Sequence, residues 1–109
     1  MDVRRLLEDL RSPDYRVAVP AAERLRHVEG DAVTRALVAA LNAPNTAITL
    51  MAAKSLIRRD APDTADLMWE ALPALEQNSP DYVWDAVEAL PGEPVSRELA
   101  RRAEEDPDT

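Results

Sequence analysis

Apolar residues recur along this chain at intervals of three and four, which is the spacing of one face of a helix and not that of a strand. Alanine, leucine, arginine and glutamate dominate, all of which favour helix, and only two glycines occur. The pattern predicts seven helices. They begin close to Asp2, Asp14, Asp31, Asn45, Asp63, Asp81 and Pro94.

Four of these residues are predicted to cap their helices, because their side chains can accept hydrogen bonds from the free N–H groups of the first turn. They are Asp14, Asp31, Asn45 and Asp81. Gly30 is predicted to end the second helix near position 28, because glycine accepts the left-handed conformation that often follows a helix.

Two prolines, Pro20 and Pro73, fall inside predicted helices. A proline in a helix removes one backbone hydrogen bond and clashes with the preceding turn. We therefore expect a kink or a late start in the second helix, and a similar disturbance in the fifth.

One part of the apolar pattern occurs three times along the chain, at offsets of 31 and then 34 residues. Each copy follows a Pro-Asp or Pro-Asn pair. A repeat of this length is typical of helical hairpins that cover their apolar faces only by stacking on one another. The copies are Val17, Ala21, Ala22 and Leu25, then Ile48, Ala52, Ala53 and Leu56, then Tyr82, Ala86, Val87 and Leu90.

These copies resemble HEAT repeats, especially the short bacterial kind, whose second helix follows a Pro-Asp turn and reads apolar-Arg-x-x-Ala-Ala-x-x-Leu. The resemblance covers residues 1–90 and implies an all-α fold, a right-handed α-solenoid of three HEAT-like hairpins plus a C-terminal capping helix. The family's arginine is replaced here by Ala18, Thr49 and Val83, so the Asp–Arg ladder between repeats is missing. The implied single domain spans 1–105, with repeats at about 1–30, 31–62 and 63–92, a capping helix at 93–105 and a flexible tail at 106–109.

The formal charge of −8 is concentrated in residues 63–109, which carry thirteen acidic and three basic side chains. Nucleic-acid affinity comes largely from Lys and Arg that neutralise phosphates, so we expect no nucleic-acid partner. An acidic surface would attract a basic protein. It also serves solubility, and both interpretations stay open.

Few residues can support chemistry. The chain has no cysteine and one histidine, His27, which we expect at the surface near a helix end. An acidic string could suggest a divalent cation, but its spacing matches no calcium loop, and helix capping explains its members more simply. The string is Asp60, Asp63, Asp66 and Glu70. We predict no enzyme, no cofactor and no metal site.

No run of about 18 apolar residues is present, so no membrane span is predicted. The first residues alternate charged and apolar side chains and lack the apolar core of a signal peptide. The absence of cysteine agrees with a reducing compartment. We therefore expect a cytoplasmic protein.

In HEAT proteins the second helices line the concave side, and the repeat offsets place equivalent residues of those helices in rows. Val19, Leu50 and Trp84 form one apolar row unless curvature turns them into the core. Trp69, in contrast, is expected to pack. The predicted partner-binding residues are Val19, Glu23, Leu50, Lys54, Asp81, Trp84, Asp85 and Glu88.

The sequence thus predicts a non-enzymatic module that binds a partner protein through its concave face. Two alternatives remain: an immunity-like or antitoxin-like inhibitor of a basic partner, and a small scaffold subunit that acts as a homo-oligomer. The oligomeric state stays open. Some HEAT-like proteins are DNA glycosylases, but those need a basic cleft that this acidic chain lacks.

Overall fold

The computed structural model describes residues 2–59, 63–75 and 79–106, and the regular structure in these ranges is entirely helical, which confirms the all-α prediction. A short 3-10 turn, Leu72–Ala74, follows the fifth helix. Each helix in these ranges is too short or too polar to cross a membrane. The seven α-helices are α1 (Val3–Leu10), α2 (Tyr15–Leu25), α3 (Asp31–Ala40), α4 (Thr46–Arg58), α5 (Thr64–Ala71), α6 (Ser79–Ala89) and α7 (Pro94–Glu105). Of the predicted flexible tail, residues 107–109 lie outside the described residues.

Two of the predicted caps are confirmed. The Asp14 side chain accepts a hydrogen bond from the Arg16 backbone N–H at 2.9 Å, and Asn45 accepts one from the Ala47 N–H at 2.9 Å. Each bond satisfies an amide that has no partner within its own helix. The starts of α2 and α4 are therefore fixed by residues next to them in sequence.

Two other caps and one helix end were predicted wrongly. Helix α2 ends at Leu25, before the predicted end near 28, and Gly30 directly precedes α3 with a φ of +125°. This backbone conformation suits glycine, so Gly30 turns the chain into α3, and Asp31 is the first residue of that helix instead of its cap. Asp81 lies in the first turn of α6, which starts at Ser79, where the positive end of the helix dipole stabilises its carboxylate.

The two prolines have different effects. Helix α2 starts directly after its cap and continues through Pro20, so the predicted late start is wrong. Pro20 is exposed and lies inside the helix, and the alternative expectation of a kink there stays a prediction. At Pro73 the predicted disturbance is confirmed, because α5 stops at Ala71 and the chain tightens into the 3-10 turn.

The helices contact one another in a regular order. Helices α1 and α2 pack as a pair, as do α3 and α4. Helix α2 packs on α4, and α4 packs on α6; α1 likewise contacts α3, and α3 contacts α5. Helix α7 packs against α4, α5 and α6. Helix α4 is therefore enclosed by neighbours, and the long axis of the molecule measures 42 Å.

Small residues allow the close approach of α2, α4 and α6. The alanines of the repeated pattern are buried, at Ala21, Ala22, Ala52, Ala53 and Ala86. Among the described residues, the outer side of α2 lacks the neighbour that covers α4. Val17, the first apolar position of the pattern in α2, is accordingly 40% exposed, whereas its equivalent Ile48 in α4 is 1% exposed. The two positions are therefore equivalent in the sequence pattern but differ in burial.

The positions where HEAT repeats carry arginine are all buried here. Ala18, Thr49 and Val83 occupy equivalent places on α2, α4 and α6, and each is at most 1% exposed. The Thr49 hydroxyl donates to the Ala43 carbonyl at 3.3 Å. An arginine at these places would need to bury its charge between helices, which explains the small or apolar residues present.

A buried arginine joins the first two helical pairs instead. Arg59 is 5% exposed, and its Nη1 donates to the Leu25 carbonyl at 2.8 Å and to the Val28 carbonyl. Its Nη2 donates to the Gly30 carbonyl at 3.2 Å and to Thr34 Oγ1 at 2.9 Å. The Leu25 and Gly30 carbonyls also accept the backbone N–H groups of Val28 and Thr34, so Arg59 adds a charged donor to them and ties the end of α2 to the end of α4.

A second bond has the same function one turn earlier. Ser55 Oγ on α4 donates to the Ala22 carbonyl on α2 at 2.8 Å. Burial lowers the pKa of the Arg59 guanidinium, while the carboxylates of Asp63 and Glu29 oppose that shift. Arginine remains protonated despite this, so a buried cation holds the end of α2 against α4.

Replacing Arg59 with methionine should lower the free energy of unfolding by roughly 2–4 kcal/mol, because several buried carbonyls lose a charged donor. Urea unfolding followed by circular dichroism measures the change. The matched control is Arg58→Met, since the Arg58 side chain is exposed and should cost under about 0.5 kcal/mol. Equal losses in the two variants would contradict this role of Arg59.

Candidate functional site

The residues predicted to bind a partner lie on α2, α4 and α6, which contact one another in chain order. We call the surface formed by the following six the second-helix face: Val19, Glu23, Leu50, Lys54, Trp84 and Glu88. Its acidic members Glu23 and Glu88 are exposed, whereas Lys54 is half-buried. Asp81 and Asp85 are also exposed, on the same helix as Trp84.

The apolar row of this face is neither fully exposed nor part of the closed core. Val19, Leu50 and Trp84 are all half-buried. Leu50 and Trp84 also pack against buried core residues, which holds their side chains in place. The row thus places a partly exposed apolar group on each of the three neighbouring helices α2, α4 and α6.

Trp84 also lines a groove that the sequence did not reveal. Together with Trp69 of α5, Leu72 and Pro73 of the 3-10 turn and Asp106 at the end of α7, it encloses about 290 Å³. We call this the tryptophan groove. Trp69 packs against the core as expected, but it is only half-buried, and its remaining surface faces the groove.

The surroundings of Trp84 are acidic. Asp81 lies three residues before it and Glu88 four residues after it, so both share its side of the helix, and Asp85 is its neighbour in sequence. All three carboxylates are exposed, and none takes part in an ion pair with another described residue. Their charge is therefore available to a ligand.

Two of the three arginines on α7 are paired within the molecule, whereas Arg97 is exposed and forms no ion pair with another described residue. Arg101 contacts Glu105 at 2.6 Å and donates from Nε to Glu98 at 3.0 Å. Arg102 contacts Glu98 at 3.0 Å and also forms an ion pair with Asp66 of α5. The Asp66 pair connects α7, whose last turn leads to Asp106, to the helix that carries Trp69, while the pairs with Glu98 and Glu105 lie within α7.

The Glu98 carboxylate is the centre of these ion pairs. Hydrogen bonds from Arg101 and then from Arg102 lower the pKa of Glu98 from 4.5 to about 2. Among the described residues only the Arg102–Asp66 pair joins α7 to another helix, and an exposed ion pair contributes little, so α7 is held mainly by its buried residues Val95 and Leu99.

Two other concave regions are present. A cleft of about 680 Å³ surrounds the buried guanidinium of Arg59, and its rim includes Arg26, whose Nε donates to Nε2 of the exposed His27 at 3.0 Å. A groove of about 480 Å³ between α1 and α3 is lined mainly by alanine and other apolar side chains. No group of three or more His, Cys, Asp or Glu residues in the described ranges is placed to hold a metal ion, and Asp60 of the predicted acidic string lies outside them.

Sequence reasoning did not identify Arg59 or the meeting of Trp69 with Trp84. A signal for the groove was present in Pro73, which ends α5 early and directs Leu72 and Pro73 toward α6. For Arg59 the chain offers no local signal. Arg58 is the last residue of α4, whereas the Arg59 side chain that follows it binds the end of another helix.

Comparison with protein-family models, with curated proteins and with solved structures finds no match to this chain.

The variant Glu98→Gln should lower the melting temperature at neutral pH, because it removes the negative charge that Arg101 and Arg102 share. The pKa of Glu98 is depressed in the folded state, so its stabilisation is present above about pH 4.5 and is lost as the pH falls toward 2. Melting curves of both proteins across this range should therefore converge in acid. Glu104→Gln removes a carboxylate of the same helix that lies outside these ion pairs. Its melting temperature should differ from that of the wild type by an amount that does not shrink in this way as the pH falls.

Proposed function

We propose that this chain is a HEAT-like α-solenoid that binds a partner protein through its second-helix face and catalyses no reaction. The order of helix contacts supports the proposal, since α2, α4 and α6 form one row and α1, α3 and α5 another. Repeated hairpins that stack in this way present a continuous surface along their second helices.

The observation that carries the proposal is the half-buried row of Val19, Leu50 and Trp84. Contiguous apolar surface that stays in contact with water often marks an interaction site, and this row extends across three neighbouring helices. Tryptophan is enriched among residues that contribute most to binding.

The charge around the row identifies the preferred class of partner. The α6 end of the second-helix face carries Asp81, Asp85 and Glu88 outside any ion pair between described residues, which favours a basic segment. An inhibitor of a basic protein would use the same surface. The partner class is thus a basic protein in both versions of the proposal.

One alternative also has a specific observation in its favour, namely a scaffold subunit that self-associates. Val17 on α2 is 40% exposed whereas its equivalent Ile48 on α4 is 1% exposed, so the outer side of α2 leaves a small apolar patch at Val17 uncovered. If this patch joins two copies, light scattering after size exclusion should show a dimer that Val17→Glu converts to a monomer. A monomer in both cases would eliminate this alternative.

The interaction proposal can be tested with a displayed library of random peptides, selected on the immobilised wild-type protein. The enriched peptides should combine basic and apolar residues. Leu50→Ala and Glu88→Arg should each weaken their binding at least about tenfold, as expected where an interface anchor or its electrostatic partner is lost. Biolayer interferometry measures the affinities.

A charge-matched control is Glu8→Arg on α1, an exposed residue remote from the second-helix face, which should leave the affinity unchanged. Circular dichroism and melting curves verify that all variants fold. Selected peptides that bind the Leu50 and Glu88 variants as tightly as the wild type would overturn the proposal.

A further inference from the structure

We propose that the tryptophan groove is a pocket for one basic side chain, arginine or lysine, of a protein partner. The inference rests on the proposed function in one respect, that the ligand is a protein segment. It goes further because it assigns a pocket beside the second-helix face. This pocket shares Trp84 with that face, but Trp69 and its other lining residues lie outside the face.

The size and lining of the groove suit a long side chain. Its volume of about 290 Å³ lies at the lower limit of pockets that hold small-molecule ligands. Leu72 and Pro73 offer apolar surface to an aliphatic stem, while the indoles of Trp69 and Trp84 line the same groove and belong to the side-chain class that attracts cations most strongly. Arginine and lysine combine such a stem with a cationic end.

Electrostatics select the sign of the ligand. The carboxylates of Asp81, Asp85 and Glu88 flank Trp84 on α6 and have no cationic partner among the described residues. The nearby cations Arg101 and Arg102 are engaged by carboxylates of α5 and α7. A ligand at the groove therefore experiences a net negative field, which attracts a basic side chain and repels an acidic one.

The chain supplies its own reporter. It contains only two tryptophans, and both line the groove, so its indole fluorescence originates there. The probe is a synthetic tetra-arginine peptide, titrated while tryptophan is excited selectively. We expect a saturable change in emission, a weaker affinity for tetra-lysine because its ammonium stacks less well on aromatic rings, and no change with tetra-glutamate or tetra-alanine.

Variants identify the site of binding. Trp69→Leu should weaken tetra-arginine binding at least about fivefold, with Trp84 still available to report it, and Asp85→Asn should weaken it about two- to threefold. Glu104→Gln on α7 is the control and should have no effect beyond a small change at low salt. Melting curves establish that Trp69→Leu remains folded; if it does not, Trp69→Phe, which keeps an aromatic ring, replaces it and should retain part of the affinity.

Several outcomes would overturn the inference: the absence of a saturable change, an equal response to tetra-alanine, or an affinity that Trp69→Leu leaves intact. The failure of the proposed function has a different signature. If Leu50→Ala leaves the selected peptides bound while tetra-arginine still requires Trp69, the second-helix face is wrong and the pocket stands. If the selected peptides require Leu50 but tetra-arginine gives no response, the pocket is wrong and the face stands.

Discussion

The enclosure of α4 is the constraint on which the rest of the structure depends. This helix packs against α2 and α6 on its two sides and against α3 within its own pair. Its apolar face is fully buried at Ile48, Ala52 and Leu56, and this burial is favourable only because both neighbouring helices are present. The alanines let the helices approach closely, so the dispersion contacts that a larger residue would provide come from the backbones themselves. Removal of either outer helix would expose one side of α4.

Close packing of helices creates a second requirement, which the buried polar groups meet. Helix α2 ends at Leu25, and its last carbonyls point toward α4 where water has little access. Arg59 and Ser55 donate to carbonyls of α2, so a tight interface does not leave them unsatisfied. The HEAT-type ladder would use charged pairs between side chains, whereas here a side chain binds the backbone of the previous pair. Because a backbone carbonyl exists whatever the sequence, this solution needs only one specialised residue for each contact.

The sequence predicted what depends on local pattern. Helix number, the caps Asp14 and Asn45, and the break at Pro73 follow from spacing and from residues adjacent to the affected backbone. It failed at Gly30 and Arg59, where the outcome depends on contacts with residues about 30 positions away. The exposure of Val17 escaped prediction for a related reason. A repeated pattern has the same kind of residue in the helix at the end of the row, α2, as in the helix in its middle, α4. Position in the row, which decides exposure, is absent from the pattern.

The candidate site shows the same division between local and distant causes. The repeat offsets identified Trp84 and the carboxylates around it, because these belong to one helix. The groove beside Trp84 forms only where α5, the 3-10 turn and α7 meet. The ion pair of Arg102 with Asp66 joins α7 to α5, beside the pairs that Arg101 and Arg102 form within α7. Those pairs have an electrostatic consequence as well. They neutralise carboxylates of α5 and α7 and leave the carboxylates of α6 uncompensated, so the negative charge of the C-terminal half is concentrated beside the exposed tryptophan surface. Solubility alone would place no demand on where this charge lies, whereas the proposed recognition of a basic partner depends on its position beside the aromatic groove.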